Sequence, residues 1–443
     1  MTPSPFHTKT LVIPRQSATV VTPGPWQMND KSQPQRPGGI LAGKGVTQTV
    51  YVFDPSVKDA LIKTEGFGGG KVGRYWNQNN TDGDKSLRCN LLSVARDFTV
   101  DGRAEFRPYP MGPAPGWPQP PAKDVHGQDF PFRADGLRMQ GSGMRAERLR
   151  LFNIPGTGLV MRSGGGSQSG FYGLWDEAYA IVDDVRVTQA INGFDIAITD
   201  AKLSRLWVDN VAKEGAILDL NGGYLNTDHI CGADVACRIK SEIHATDCYH
   251  ESARIGTIIE AGAHGCDFKG LNIGPGTCTE FGVQVFSNNN DIDCSGGVQK
   301  GAVGLYDAGH SNTTKAKFYI ADGGVGARIQ GNASELNLRT VQLAGGTALE
   351  VVGPINGWEI KLRIQGYNNP VALNVTKMTG TGNVIRIVSL GDKLSVKNVV
   401  GVVPPGNELW IDGVKQPLSS RQTRLRDRYL DPAEGNLPNA YDR

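Results

Sequence analysis

The residues with the clearest capacity for chemistry are Asp228, His250 and Glu251. A glycosidase requires two carboxylates across a groove, one of them with a raised pKa, and a nearby histidine can carry protons. Asp228 and His250 are 22 residues apart, so they become neighbours only if the chain repeats with about that period. The competing interpretation, which the sequence favours, is that these polar residues cap turns or face water. All three remain candidates for catalysis.

Three tryptophans, Trp175, Trp207 and Trp358, are candidates for binding a glycan, because flat aromatic rings offer large apolar faces on which sugar rings can stack. Trp207 lies in the alternating segment LSRLWVDN, where the sequence leaves open whether the ring faces inward or outward. Packing at the ends of coils or at a subunit interface is the alternative interpretation, and the sequence favours it.

The sequence predicts no metal site and no cofactor. Its seven cysteines include no CxxC pair with the spacing of thiolate ligands, so several of them are expected to be small buried residues. The segment GFGGGKVGR at 66–74 is only superficially like a phosphate loop. Val72 stands after Lys71, where a phosphate loop requires serine or threonine.

Candidate side chains so far apart need a repeating scaffold to bring them together, and the sequence contains one. Glycine is abundant, at 58 of 443 residues, and it tends to open a short alternating strand instead of joining two strands as in a hairpin. The units are separated by 18 to 26 residues, a period typical of solenoids. This period predicts an all-β fold, a right-handed parallel β-helix with roughly 22 residues per coil. The units begin at Gly193, Gly215, Ala233, Gly256, Gly282, Gly304, Gly326 and Gly346.

The composition divides the chain into four predicted segments. They are an extended N-terminal arm at 1–46, an irregular capping region at 47–134 with a proline-rich excursion, the β-helix at 135–415 and a charged tail at 416–443. Two local expectations accompany this division. Residues 57–64 are predicted to form one short helix, and residues 406–417 a closing hairpin or a last coil.

The stretch GLRMQGSGMRAERLRLFNIPGTGLVMRSG at 136–164, together with the coils that follow it, resembles the pectin-lyase-like β-helix proteins. These include tailspikes and head-decoration proteins of tailed bacteriophages, which are usually homotrimers. The resemblance rests on a repeat pattern, so it is specific for fold and weak for activity. Many phage depolymerases begin with a pattern such as FGAKGDGVTDDT, which this sequence lacks. The resemblance therefore implies a structural virion protein more than a depolymerase.

Charge and hydropathy limit the partners that we expect. The formal net charge of +2 gives no reason to expect nucleic acid, and no apolar stretch approaches the length that membrane insertion requires. The N-terminus does not read as a secretory signal, so we expect synthesis in a host cytoplasm and residence on a virion, at the capsid surface or the tail.

The expected function that follows is that of a trimeric capsid cement or decoration protein. It would bind the major capsid protein or other virion proteins and stabilise the head shell. The alternative is a receptor-binding tailspike that contacts a host-surface polysaccharide, with or without hydrolase or lyase activity.

Overall fold

The structure is a computed structural model that divides into two compact units, Met1–Ser295 and Gly296–Arg443. Both units consist of coils of a parallel β-solenoid with roughly 22 residues per coil, which confirms the predicted solenoid and its period. Within the part of the chain that is described, no helix is long and apolar enough to span a membrane. The structure describes residues 10–12, 19–22, 26–27, 40–53, 60–63, 94–102, 134–141, 143–163, 180–274, 278–321, 323–342, 345–366 and 370–417.

The longest strands of the first unit all lie after residue 134. The strands of this unit are β1 Thr10–Val12, β2 Thr19–Thr22, β3 Trp26–Gln27, β4 Ile40–Ala42, β5 Val50–Phe53, β6 Ala60–Lys63, β7 Val94–Asp101, β8 Asp135–Gly141, β9 Met144–Ser163, β10 Ala180–Ala197, β11 Lys202–Val211, β12 Glu214–Asp219, β13 Gly223–Ile239, β14 Ile243–Ile259, β15 Asp267–Ile273 and β16 Phe281–Val285. The next strand, β17 Asp291–Val298, contains the division between the units.

In the second unit, strands of two stacks alternate along the chain, β18–β20–β22–β24–β26 and β19–β21–β23–β25–β27. A single 3-10 helix at Val396–Asn398 is the sole helix among the described residues. The strands are β18 Val303–Asp307, β19 Thr313–Ile320, β20 Val325–Asn332, β21 Glu335–Gln342, β22 Thr347–Asn356, β23 Glu359–Gly366, β24 Val371–Asn374, β25 Val384–Ser389, β26 Val399–Val400, β27 Glu408–Ile411 and β28 Val414–Lys415.

Left-handed residues shape the coils of the first unit. One residue per coil with φ near +50° to +60°, such as Asp184, Arg205 or Thr227, falls where strand pairing is interrupted, and it divides each long strand into segments. A second series, including Asn210 and Ser252, does the same further along the coil. Asn and Asp tolerate this conformation better than most residues. We call the stacked segments between the two series the middle sheet; they comprise 149–152, 185–188, 206–209, 228–231, 248–251 and 271–273.

Glycines allow the backbones of neighbouring coils to lie close to each other. A Cβ atom at Gly193 would overlap the carbonyl oxygen of Gly215, and one at Gly256 would overlap that of Gly282. These glycines therefore lie where no side chain fits, which explains why glycine recurs once per coil. The sequence placed two members of the series at the wrong residue. Ala236, not Ala233, lies against Gly215, and in the second unit Ala348, not Gly346, lies against Gly326.

Buried asparagines bind successive coils of the second unit together. Asn383 accepts a hydrogen bond from the backbone of Trp358 (2.9 Å) and donates through its amide to the Asn407 side chain (2.7 Å). Asn407 in turn donates to the carbonyl oxygens of Gly380 and Pro404. Backbone groups that leave the strand ladders at these turns thus obtain partners from side chains.

The structure corrects two expectations about the N-terminal region. The described part of the predicted helix at 57–64 is not helical, because Ala60–Lys63 is strand β6. Parallel pairing also begins before residue 135, since β6 pairs with β8 and β7 pairs with β9. Long insertions between these short strands hide their repeat from a search for a fixed period. The arm at 1–46 is described only in part, and the tail beyond residue 417 lies outside the described residues.

The C-terminal expectation is confirmed in both of its forms. Strand β27 pairs in parallel with β25, as a last coil, and antiparallel with β28, as a hairpin. Asp412 and Gly413 join the two strands with φ values of 47° and 80°. An Asp-Gly pair in this conformation is the preferred two-residue hairpin turn.

Candidate functional site

Asp228 and His250 contact each other, as their 22-residue spacing predicted, but they do so inside the solenoid. His250 Nε2 lies 3.0 Å from Asp228 Oδ2, and His250 Nδ1 lies 2.8 Å from Thr257 Oγ1. The backbone N–H of Tyr249 donates to Asp228 Oδ1 at 3.2 Å. His250 and Thr257 have no exposed surface, and Asp228 is 3% exposed. Each polar group in this cluster therefore has a partner within the protein.

The cluster occupies positions that are apolar in neighbouring coils. Asp228 pairs in register with Leu206, and His250 pairs with Ile230 and Ile273, all of them buried. A carboxylate, an imidazole and a hydroxyl in a row are the groups of a nucleophilic triad. Here the Thr257 hydroxyl is enclosed, so a substrate cannot reach it in this conformation.

Two cysteines, Cys237 and Cys248, line the same interior, and neither is a reactive thiolate. Burial, with the neighbouring Asp228 carboxylate as a further cause, raises the pKa of the Cys237 and Cys248 thiols well above the usual range. Such thiols stay protonated at neutral pH and are poor nucleophiles. Five of the six described cysteines are buried, which agrees with their predicted role as small core residues.

Glu251 lies on the opposite face of the middle sheet from Asp228 and His250. Its Oε1 is 3.1 Å from His229 Nε2, and its Oε2 accepts a hydrogen bond of 3.1 Å from the Tyr249 hydroxyl. Burial and the Glu251 charge raise the pKa of Tyr249. The strand therefore places His250 and Glu251 on different sides of the sheet, because successive residues of a strand point to opposite faces.

Trp207 belongs to the outer group around Glu251. Its ring centroid lies 4.4 Å from that of His229, which lies 5.0 Å from that of Tyr249 in an edge-on arrangement. The guanidinium of Arg186 lies over the Trp207 ring at 5.5 Å. These four side chains stack along the coils as a ladder, which we call the aromatic ladder. Trp207 is 41% exposed, so it presents ring surface to solvent as glycan stacking requires.

The other two tryptophan candidates have different outcomes. Trp358 is 1% exposed, and its indole N–H donates to the carbonyl oxygen of Gly331 at 3.0 Å, so its ring is part of the core and does not face a ligand. Trp175 lies outside the described residues. Among the described residues no cluster of three or more histidine, cysteine or carboxylate side chains could hold a metal ion.

Sequence reasoning missed a second set of surface residues, in the strands β19, β21, β23 and β25. Their exposed positions carry the cations that we call the basic face: Lys315, Lys317, Arg339, Lys361, Arg363 and Arg386. The signal was present in the segments KFYIAD, SELNLRTVQ and WEIKLRIQ. Aligning these segments one coil apart places basic residues above one another.

Comparisons with known proteins give few matches. No protein-family model matches the chain, and no curated protein does. Among solved structures, the chain is similar to the pre-mature gene product 12 of bacteriophage phi29, with a TM-score of 0.37 and 10% identity over 92% of this chain and 53% of that chain. It therefore spans about half the length of that phage protein.

A second similar structure is a mutant of DFA-IIIase from Arthrobacter chlorophenolicus A6 in complex with DFA-III. Its TM-score is 0.32, with 10% identity over 85% of this chain and 89% of that chain. At these values neither likeness carries an argument about activity.

Proposed function

We propose that this protein is a binding and assembly protein of a tailed-bacteriophage virion surface, a trimeric capsid cement protein that stabilises the head shell. The observation that carries the non-enzymatic part is the burial of the Asp228–His250–Thr257 cluster. The Asp228–His250 contact joins strand β13 to β14, and the His250–Thr257 contact joins two segments of β14, so the cluster holds neighbouring coils together. The proposed location on a virion rests on the resemblance of the repeat pattern at 136–164, and of the coils after it, to β-helix proteins of tailed bacteriophages.

Ion pairs support the proposal of a stiff structural element. Arg254 joins Asp234 of the preceding coil (2.8 Å) to Glu280 of the following coil (2.5 Å). Arg238 joins Glu214 (2.8 Å) to Glu260 (2.9 Å) in the same way. Each arginine connects three coils, and networks of this kind are worth more than isolated surface pairs. Coils tied in this manner suit a protein that bears load at a shell surface.

Copy number tests the cement proposal. Gel densitometry of purified virions, calibrated against the major capsid protein, is expected to give many copies of the protein per particle, in a number that corresponds to trimers distributed over the capsid. Light scattering of the purified protein is expected to give a trimer. A few copies per particle, as for a tail appendage, would reject the cement role and leave a tail location.

A receptor-binding tailspike is the second candidate, and the aromatic ladder is the observation that favours it. Exposed Trp207 beside Arg186, His229 and Glu251 combines an apolar ring face with hydrogen-bonding groups, as in sites that bind sugars. A capsule-halo assay tests whether this face is enzymatic. We expect no clearing by the wild-type protein. Clearing that disappears in Glu251→Gln and persists in the matched surface variant Asp247→Asn would overturn the non-enzymatic assignment.

A further inference from the structure

The basic face is a flat array of side chains fixed by strand register. Lys317 of β19 pairs with Arg339 of β21, which pairs with Arg363 of β23. The neighbouring column contains Lys315, Asn337, Lys361, Arg386 and Trp410 in successive strands. Neighbouring strands of a sheet lie about 4.8 Å apart, and alternate residues of one strand about 6.7 Å apart. The two columns therefore form a lattice in which cations predominate, with the uncharged Asn337 and Trp410 in the second column.

The central cations of this lattice lack acidic partners. Glu359 pairs with Lys361 (3.1 Å) and Arg386 (2.9 Å) at one edge of the face. Lys315, Lys317, Arg339 and Arg363 form no ion pair within 4.0 Å among the described residues, and all four are exposed. Like charges directly opposite each other on neighbouring strands repel.

In the first unit, Arg150 and Arg186 also lie in register on neighbouring strands, but each has a carboxylate partner, Asp184 or Asp209. In the first unit, Arg254 and Arg238 are each flanked by carboxylates in the coils before and after them. No ion pair of this kind joins the column Lys317–Arg339–Arg363 to a carboxylate among the described residues. A ligand with several negative charges would remove the repulsion on binding.

The surroundings of the lattice indicate what kind of polyanion fits. The face is a sheet surface, and the cations of the column Lys317–Arg339–Arg363 follow one another at one per coil. Duplex DNA carries one charge per about 1.7 Å of its axis, much denser than this array. A linear polysaccharide with an acidic group on its sugars has sparser charge and a flat profile. Tyr319, 54% exposed beside Lys317, offers a ring face next to the charges.

We propose that the basic face binds a linear acidic polysaccharide, with Lys317, Arg339 and Arg363 contacting its anionic groups and Tyr319 contacting a sugar ring. The site differs from the Asp228, His250 and Glu251 trio and from the aromatic ladder. It does not depend on the capsid cement role, because copy number on a virion and glycan binding are measured separately.

Binding of the full-length protein to alginate, which carries carboxylates, and to heparin, which carries sulfates, tests the proposal. The variant Lys317→Gln/Arg339→Gln/Arg363→Gln removes three charges from the face. Its matched control, Lys377→Gln/Lys393→Gln/Lys397→Gln, removes three exposed charges of the same unit from turns and the 3-10 helix. Both variants change the formal net charge from +2 to −1, since three positive charges are lost in each.

We expect the wild type to bind at least one of the two acidic polysaccharides and not neutral dextran, with affinity that falls as salt increases. The face variant should lose at least about tenfold in affinity and the control less than about twofold. Circular dichroism should be the same for all three proteins. Binding to neither polymer, or an equal loss in both variants, would overturn the proposal. Tighter binding to single-stranded DNA or to polyglutamate than to either polysaccharide would overturn it in favour of another class of partner.

Discussion

The two units of this solenoid differ in how some of their polar and charged side chains are paired. In the first unit, Asp228 and His250 are hydrogen-bonded in the interior, and Arg254 pairs with Asp234 and Glu280 on the surface. In the second unit, the buried Asp307 has one carboxylate oxygen without a hydrogen-bond partner, and the cations of the column Lys317–Arg339–Arg363 form no ion pair among the described residues. Pairing charges stabilises a repeat protein, whereas unpaired charges cost stability and leave groups free for a ligand.

Asp228→Ala is expected to have the largest effect. It leaves Nε2 of the buried His250 imidazole without its partner, which should lower the free energy of unfolding by about 3–5 kcal/mol. The double variant Asp228→Leu/His250→Ile, which restores the residue types of the neighbouring coils, should lose less, since apolar side chains can replace a buried polar pair. Urea unfolding followed by tryptophan fluorescence measures both. Equal losses in the two variants would show that the pair itself is not what holds the interior.

Asp307→Asn is expected to stabilise the protein at neutral pH. Burial raises the pKa of Asp307 to about 6, although Gly309 and Asn312 donate hydrogen bonds to its other oxygen. The contribution of Asp307 to stability should therefore be complete below pH ~4 and should fall by about 3 kcal/mol as the pH rises from there through about 6, where the buried carboxyl ionises. The asparagine variant has no proton to lose. Unfolding in urea at pH 4.5 and pH 7.5 should show this pH dependence in the wild type, and its persistence in the variant would assign it to another group.

Arg254→Gln should weaken the first unit moderately. It removes two ion pairs and leaves Asp234 and Glu280 without their shared cation. Because these groups are well exposed, water and salt screen them, and we expect a loss of about 1 kcal/mol. The loss should shrink in 0.5 M salt. Thermal unfolding at low and high salt provides the measurement, and a loss that does not depend on salt would indicate packing instead of charge.

Arg339→Gln should have the smallest effect on stability and the opposite sign. It removes the middle cation of the column Lys317–Arg339–Arg363, so repulsion decreases and the free energy of unfolding should rise by a few tenths of a kcal/mol. The same thermal experiment detects it, with Lys377→Gln as a control of equal charge. Destabilisation by Arg339→Gln would mean that the column is held by contacts other than those described.

The sequence was sufficient to predict the solenoid, because glycines recur with its period at positions where no side chain fits. Gly193, Gly215 and Gly256 recur at each close approach of the backbone. It also sufficed for the contact of Asp228 with His250, since stacking follows from the period. The sequence could not show whether Asp228 and His250 face the interior or the solvent. Left-handed residues such as Thr227 break the alternation of faces, and threonine carries no signature for that conformation.

The remaining site residues needed register across coils and not spacing along the chain. Glu251 contacts His229 from the coil before it, and the two residues gave no local motif. Lys317, Arg339 and Arg363 likewise look like ordinary solvated charges in their own strands. Their uniform sign becomes visible only when β19, β21 and β23 are stacked. Charge patterns in solenoids are therefore best searched by column.

The most direct test measures stability and binding together in Arg339→Gln. If charges of the basic face are left unpaired for a ligand, this variant should be slightly more stable than the wild type and bind alginate or heparin more weakly. Thermal unfolding and a binding titration on one preparation give both values. A variant that loses stability, or one that gains it with unchanged affinity for both polysaccharides, would contradict the contrast between paired and unpaired charge.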